Sequence, residues 1–169
     1  DLFIVQAAAL LHDTVDDKVV TDPIKAHDEL KEFLQSIGVE ADRLQHILYI
    51  IDHLSFSKEI ADGKQELSIE GQIVQDADRI DALGAIGILR TAYYGGSHGH
   101  PIYDPELKPK NYQTKEDYRT GSTVINHFYE KLFLLPEKMN TAYAKQEAKR
   151  RQAQMENFLS EFYSEWDGQ

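Results

Sequence analysis

Cysteine is absent from the 169 residues, which excludes a disulfide framework and any thiolate metal site. The absence fits a reducing compartment, and the cytoplasm is the expected setting. No apolar run approaches the roughly 18 residues that a membrane helix needs, and no secretory pattern opens the chain. Basic charge is also in short supply: 18 Lys and Arg stand against 29 Asp and Glu, a formal net charge of −11. Proteins that grip long nucleic acid carry a basic footprint, so extended contact with a DNA or RNA backbone is disfavoured. A small anionic substrate is not excluded, because a bound divalent cation inverts the local field whatever the global charge. Alternating strand patterns are missing, and the polar Asp62-Gly63 is the sole hairpin-like turn signal. With 41% hydrophobic and 28% charged residues, what remains is the composition of one globular domain spanning residues 1–169.

Apolar spacing predicts an all-α bundle. Leu2 to His12 reads as a buried helix ending at a carboxylate cluster. Thr21-Asp22-Pro23 supplies a cap with proline at the first helical position, and Ile24, Leu30, Phe33, Leu34 and Ile37 carry that helix to a stop at Gly38. A third helix spans Ala41 to His53, with Leu44, Ile47, Leu48 and Ile51 on one face. Ala61 to Gln65 is a loop. The run from Ile69 to Tyr94 holds no proline and predicts one long helix, followed by an irregular segment from Tyr94 to Tyr118. Two more helices are expected, from Gly121 to Leu134 and from Pro136 to Trp166. The last has an apolar stripe of Met155, Phe158, Leu159, Phe162, Tyr163 and Trp166, a face that could pack against a second copy, so a homodimer is one expectation.

Two stretches carry ionisable groups where an apolar pattern leaves little room for them. The first is "AALLHDTVDD", Ala8 to Asp17. A histidine nitrogen and a carboxylate oxygen at a helix end are suitable joint ligands for a divalent metal, and equally form a hydrogen-bonded structural pair. The second is "IVQDADRIDALGAIGILR", Ile73 to Arg90, which sets Asp76, Asp78 and Asp81 within six residues. Asp78 and Asp81 share a face with Val74 and Ala85, while Asp76 falls on another. Ala77, Ile80, Ala82, Leu83 and Ile86 leave little of the helix for water, so these carboxylates call for a cation, and Arg79 can neutralise only one.

Together the two stretches resemble the HD-domain metal-dependent phosphohydrolases, whose pattern is a first His, then His-Asp at the end of a helix, then a distant Asp in a context like "ADRI". His12 and Asp13 match the pair, and Asp78 in Ala77-Asp78-Arg79-Ile80 matches the distant Asp. The segment "QDADRIDALGAIGILRTAYYGG", with "PIYDP" after it, is similar to a small bacterial subgroup that acts as nucleotide pyrophosphatases. The resemblance implies an HD-type helical bundle holding one divalent ion (Mn, Mg, Fe, Ni or Co) on His12, Asp13, Asp78 and the family's first histidine. It implies hydrolysis of nucleoside triphosphates, deoxy forms included, to monophosphate and pyrophosphate. No residue precedes Asp1 to supply that first histidine, and the expectation is a further N-terminal helix that bears it. Phosphomonoesterase or phosphodiesterase chemistry on nucleotides, or a non-catalytic module that binds them, are the alternative readings.

Within that frame Asp16 is the expected catalytic base, because on a continued helix it would stay on the side of His12, and Asp17 is the second choice. Either could instead belong to a turn cluster after the helix. Phosphate charge needs cations: Lys18 is the first candidate, with Arg79 and Arg90 further along, although Arg79 is also placed to pair with Asp76 or Asp81. His98 and His100 have an H-x-H spacing that can bind metal, read here as an accessory loop. Tyr93, Tyr94, Tyr103 and Tyr112 read as loop packing more than as a base-stacking set. His27, His46 and His53 read as boundary histidines of the middle helices. Lys145, Lys149, Arg150 and Arg151 read as the solvated face of the last helix.

Overall fold

The computed structural model describes residues 1–17, 19–111 and 122–169, and among these no strand forms. The all-α expectation is met. The chain divides into two compact units, 1–75 and 76–169.

In the first unit, α1 (Leu2–Leu11) packs on α3 (Ala41–His53), and α2 (Pro23–Ser36) packs on α3 as well. α1 is started by Asp1, whose side chain accepts from the Phe3 amide at 2.9 Å. The same carboxylate meets Arg43 Nε at 3.0 Å, near the start of α3. The two packed helices therefore run in the same direction and finish at one pole of the unit. α2 begins as its sequence predicts, with Asp22 capping the Lys25 amide and Pro23 at the first position. It ends where Gly38 adopts φ 80° and Val39 N–H returns to the Leu34 carbonyl at 3.1 Å, a tight reversal that turns α3 antiparallel to it. Their shared interior is Ile4, Ala8, Leu30, Leu34, Leu44, Ile47, Ile50, Ile51, Leu54 and Val74. Burying a Leu or Ile side chain contributes about 1.5–3 kcal/mol, and this apolar set is what fixes the pole at which α1 and α3 end. A short α4 (Phe56–Asp62), capped by Ser55, follows α3.

α5 (Ile69–Asp81) begins in the first unit, where Gln75 Nε2 donates to the Leu54 carbonyl at 3.1 Å. The expected single helix from Ile69 to Tyr94 is broken: Leu83 is extended (φ −113°, ψ 160°), Gly84 has φ +77°, and α6 (Gly84–Ser97) starts anew. The break is held by distant partners. Arg151 donates to the Ile80 carbonyl at 2.8 Å, Gly84 N–H donates to the Met155 sulfur, and Asp81 pairs with Arg90 across it.

The second unit is completed by α7 (Val124–Glu130), two 3-10 turns (Leu132–Leu134 and Pro136–Lys138) and α8 (Ala142–Trp166). Two expectations are corrected here. The helix predicted through Leu134 stops at Glu130, and the one predicted from Pro136 is interrupted at Met139, whose extended backbone (ψ 145°) lets Thr141 cap α8. α6 packs on α7 and α8. Met155 and Leu159, from the predicted stripe, are buried, whereas Trp166 at its end is exposed. Tyr103 meets Phe162, Tyr163 and Trp166 edge-on at 5.0–5.7 Å, so this tyrosine packs a loop, as expected. Tyr112 lies outside the described residues.

Candidate functional site

α1 must satisfy its last carbonyls, and the residues of "HDT" do so. The His12 amide donates to the Ala8 carbonyl, the His12 ring donates through Nδ1 to the Ala9 carbonyl at 2.8 Å, and Thr14 Oγ1 donates to the Leu11 carbonyl at 2.6 Å. A carbonyl only accepts, so the Nδ1 bond places a ring proton there, and in the neutral ring Nε2 keeps its lone pair. Nε2 lies 3.3 Å from Asp13 Oδ1. Two lone pairs at that distance repel unless a proton or a cation sits with them. The separation matches two ligands of one ion at bonds of about 2.1 Å, and the carbonyl behind Nδ1 is the outer-shell partner that metal-bound histidines commonly have. The donor set fits a divalent metal. Among the described residues no group of three or more His, Asp or Glu side chains is assembled as a cage; the preformed part is this pair.

The helix tightens to a 3-10 turn over His12–Val15 and then opens, with Asp16 extended (ψ 130°). The offset argument for Asp16 is corrected accordingly: no helix continues to carry it onto the side of His12. Its carbonyl instead accepts from Val19 and Val20 at 2.9 and 3.0 Å, closing a loop that holds Asp17 at the surface. Lys18 lies outside the described residues.

The three aspartates of α5 separate in role. Asp76 is buried and held by amides: Oδ1 accepts from the Asn140 amide at 2.8 Å and its Nδ2 at 3.0 Å, and Oδ2 from the Thr141 amide at 2.8 Å. It sits at the N-terminus of α8, where unpaired amides and the helix dipole favour a carboxylate. Asp81, at the end of α5, is exposed and paired with Arg90, and Ile86 in α6 is exposed as well, so the stretch around the break is wetter than its apolar pattern predicts. Asp78 is half-buried, one turn beyond Gln75. Arg79 is buried and donates to the Lys138 carbonyl.

At the pole where α3 ends, a cleft of about 340 Å³ is lined by Asp52, His53, Lys58, Glu59, Asp62 and Gln65. His27 Nε2 reaches Asp52 Oδ2 at 3.3 Å, and Lys58 Nζ donates to the Asp52 carbonyl at 2.7 Å. Sequence reading leaves Asp52, Lys58 and Glu59 unnoticed. The available signal is Ser55 at the cap of α4, which brings Lys58 and Glu59 back toward the end of α3. His98 stacks on Tyr94 at 3.9 Å and bonds its carbonyl, with the His100 ring 6.1 Å away. Glu147 is held at about 2, well under the ordinary carboxyl value of 4.5, by hydrogen bonds from Arg150 and then Arg151. Those two arginines of the basic face are thereby engaged within α8.

Residues 1–83 match the HD domain family. The chain is 36% identical over 162 residues to the Bacillus subtilis protein YpgQ, which is described as uncharacterized, covering 96% of this chain and 70% of YpgQ. A crystal structure of YpgQ in complex with ADP superposes with a TM-score of 0.76 at 33% identity, covering 98% of this chain and 74% of that one. A Lactobacillus plantarum crystal structure is 48% identical with a TM-score of 0.89, over all of this chain and 78% of that one. A Bacillus thuringiensis HD-superfamily hydrolase is 41% identical with a TM-score of 0.75, over all of this chain and 76% of that one. With its His-Asp pair at the end of α1, the chain belongs to the HD-domain superfamily of hydrolases.

Proposed function

We propose that the protein is a metal-dependent nucleotide phosphohydrolase that splits nucleoside or deoxynucleoside triphosphates into monophosphate and pyrophosphate. The observation that carries this reading is the His12–Asp13 pair, whose ring tautomer is pinned by Ala9 and whose two acceptor atoms face one another at 3.3 Å. His12, Asp13 and Asp78 are the proposed ligands, with a further histidine from a preceding helix. A divalent ion there, Mn or Mg by preference, would polarise a phosphoryl oxygen and lower the pKa of a coordinated water.

The chain's own groups supply the remainder. Asp16 and Asp17 follow the pair within one short loop and are the proposed proton acceptors, Asp16 first because its backbone is anchored by two amides. Lys18 is the proposed phosphate contact, ahead of Arg90, whose guanidinium pairs with Asp81, and Arg79, whose guanidinium holds the Lys138 carbonyl. The ADP bound by YpgQ supports a nucleotide as the substrate class.

The test incubates the full-length protein with Mn or Mg and a panel of nucleoside triphosphates. Monophosphate and pyrophosphate in equal amounts are expected. Orthophosphate alone, or turnover of phosphomonoesters in preference, would overturn the assignment.

A further inference from the structure

Asp78, the proposed metal ligand on α5, lies in the last turn of that helix, where carbonyls lack intrahelical donors and helices fray. A ligand has to be held to within about 0.5 Å of its place to grip an ion, so a fraying turn is a poor mount. Here the turn is fastened from outside. Asp76 takes the Asn140 and Thr141 amides on its two carboxylate oxygens, at 2.8 Å each. Arg79 donates to the Lys138 carbonyl, and Arg151 donates to the Ile80 carbonyl at 2.8 Å. Nearer in the chain, Arg79 and Ile80 offer their carbonyls to the amides of Ala82 and Leu83, at 3.3 and 3.0 Å.

Two features set this clamp apart from ordinary helix packing. It is built from ions: Asp76 and Arg79 are 3% and 2% exposed, and burying such groups costs more than burying apolar ones. Starting α8 does not require them, because the Thr141 hydroxyl already accepts from the Ala144 amide. The clamp also has a direction. Asp76 and Arg79, three residues apart, share a face of α5, whereas Asp78 projects from another, at about 100° per residue. Hydrogen bonds depend on angle as well as distance, so they fix the rotation of the turn that presents the half-buried Asp78.

Resting on the metal reading above, we infer that Asp76, Arg79 and Arg151 are positioning residues for the Asp78 carboxylate. Through segment 138–151 they hold the last turn of α5 in the rotation at which Asp78 meets the ion. They act through the helix, by bonds whose partners are 59 to 71 positions apart in the chain.

Arg151→Met separates positioning from charge, because the two act in opposite directions. Loss of a nearby guanidinium favours a bound cation on electrostatic grounds alone, and the methionine stem still fills the space beside Gly84 that the arginine stem occupies. The positioning role predicts the reverse: Mn binding to the full-length protein about tenfold weaker by isothermal calorimetry, the scale on which supporting partners of a ligand act. The Ala82 and Leu83 amides are expected to exchange with solvent about tenfold faster by NMR. Asn140→Ala, which removes the Nδ2 bond to Asp76 and changes no charge, is expected to weaken Mn binding as well. Leu159→Ala opens the buried face of α8 but removes none of these hydrogen bonds, so wild-type Mn affinity is expected. Wild-type or tighter binding in Arg151→Met and Asn140→Ala, while Asp78→Asn loses the ion, overturns the positioning role and leaves the metal reading standing. Equal weakening in Leu159→Ala assigns the effect to stability and overturns it too. Mn binding that survives Asp78→Asn overturns the metal role of Asp78 and this inference with it.

Discussion

Asp76 and Asn140, sixty-four positions apart, are joined twice: one carboxylate oxygen of Asp76 takes both the backbone and the side-chain N–H of Asn140. With the Thr141 amide on the other oxygen, this carboxylate closes the interruption before α8. Asp76→Ala leaves these half-buried amides without that acceptor, and hydrogen bonds to a charged group contribute about 1.5–3 kcal/mol each in net terms. A loss of about 3 kcal/mol is expected in urea unfolding. Asp76→Asn, which keeps the shape, loses less. An Asp76→Ala variant of wild-type stability would show that the contact carries no weight.

The break between α5 and α6 gives a second prediction. A methyl group at residue 87 would lie 2.2 Å from the Ala82 carbonyl oxygen, which is backbone and cannot swing away. At residue 84 it would meet the Arg151 stem at 3.2–3.3 Å, on a backbone at φ +77°. Gly87→Ala is expected to cost about 2–3 kcal/mol and Gly84→Ala about 1 kcal/mol from the left-handed conformation. Thermal unfolding of the two variants ranks them, and the reverse order would contradict the geometry.

Acid titration of α8 gives a third. Glu147 has a folded pKa of about 2 against 4.5 in the open chain, because Arg150 and Arg151 favour its charged form. The folded value is depressed, so its contribution to stability is complete above about pH 4.5 and is lost as pH falls toward 2. A side-chain carbonyl NMR titration reads the value directly. A midpoint for Glu147 near 4.5 would show that the arginines do not hold it in solution.

These predictions divide along the line of what was legible in the sequence. α3 could be read to its ends, because its apolar face and the preceding Gly38 are local signals. His12 and Asp13 were legible for the same reason: a charged pair ending an apolar run is visible without coordinates. The break at Leu83-Gly84 was not, since a single glycine is tolerated in helices and the groups that hold this break, Arg151, Met155 and Arg90, lie 9 to 71 positions away. Helical spacing sets Asp76 on a different face from Asp78 but does not reveal its role; the loop at Asn140, 64 positions on, marks it as a cap. Asp16 was misplaced by extending helical spacing through a stretch that tightens to a 3-10 turn and then opens.

At His12 and Asp13 the expected effect of substitution is functional. Asp13 is largely exposed, with 74% of its side chain open to solvent, so Asp13→Asn is expected to fold as wild type by circular dichroism while losing turnover by at least about a thousandfold. Loss of helical signal in parallel with loss of activity would assign the pair to structure instead.

The most direct measurement is Mn titration of the full-length protein by isothermal calorimetry, in wild type and in His12→Gln, Asp13→Asn and Asp78→Asn. One tight site in wild type is predicted, weakened more than about a hundredfold in each variant, since even the outer partners of a metal ligand contribute 10–100-fold. Wild-type affinity in all three variants would contradict a metal centre built on these residues.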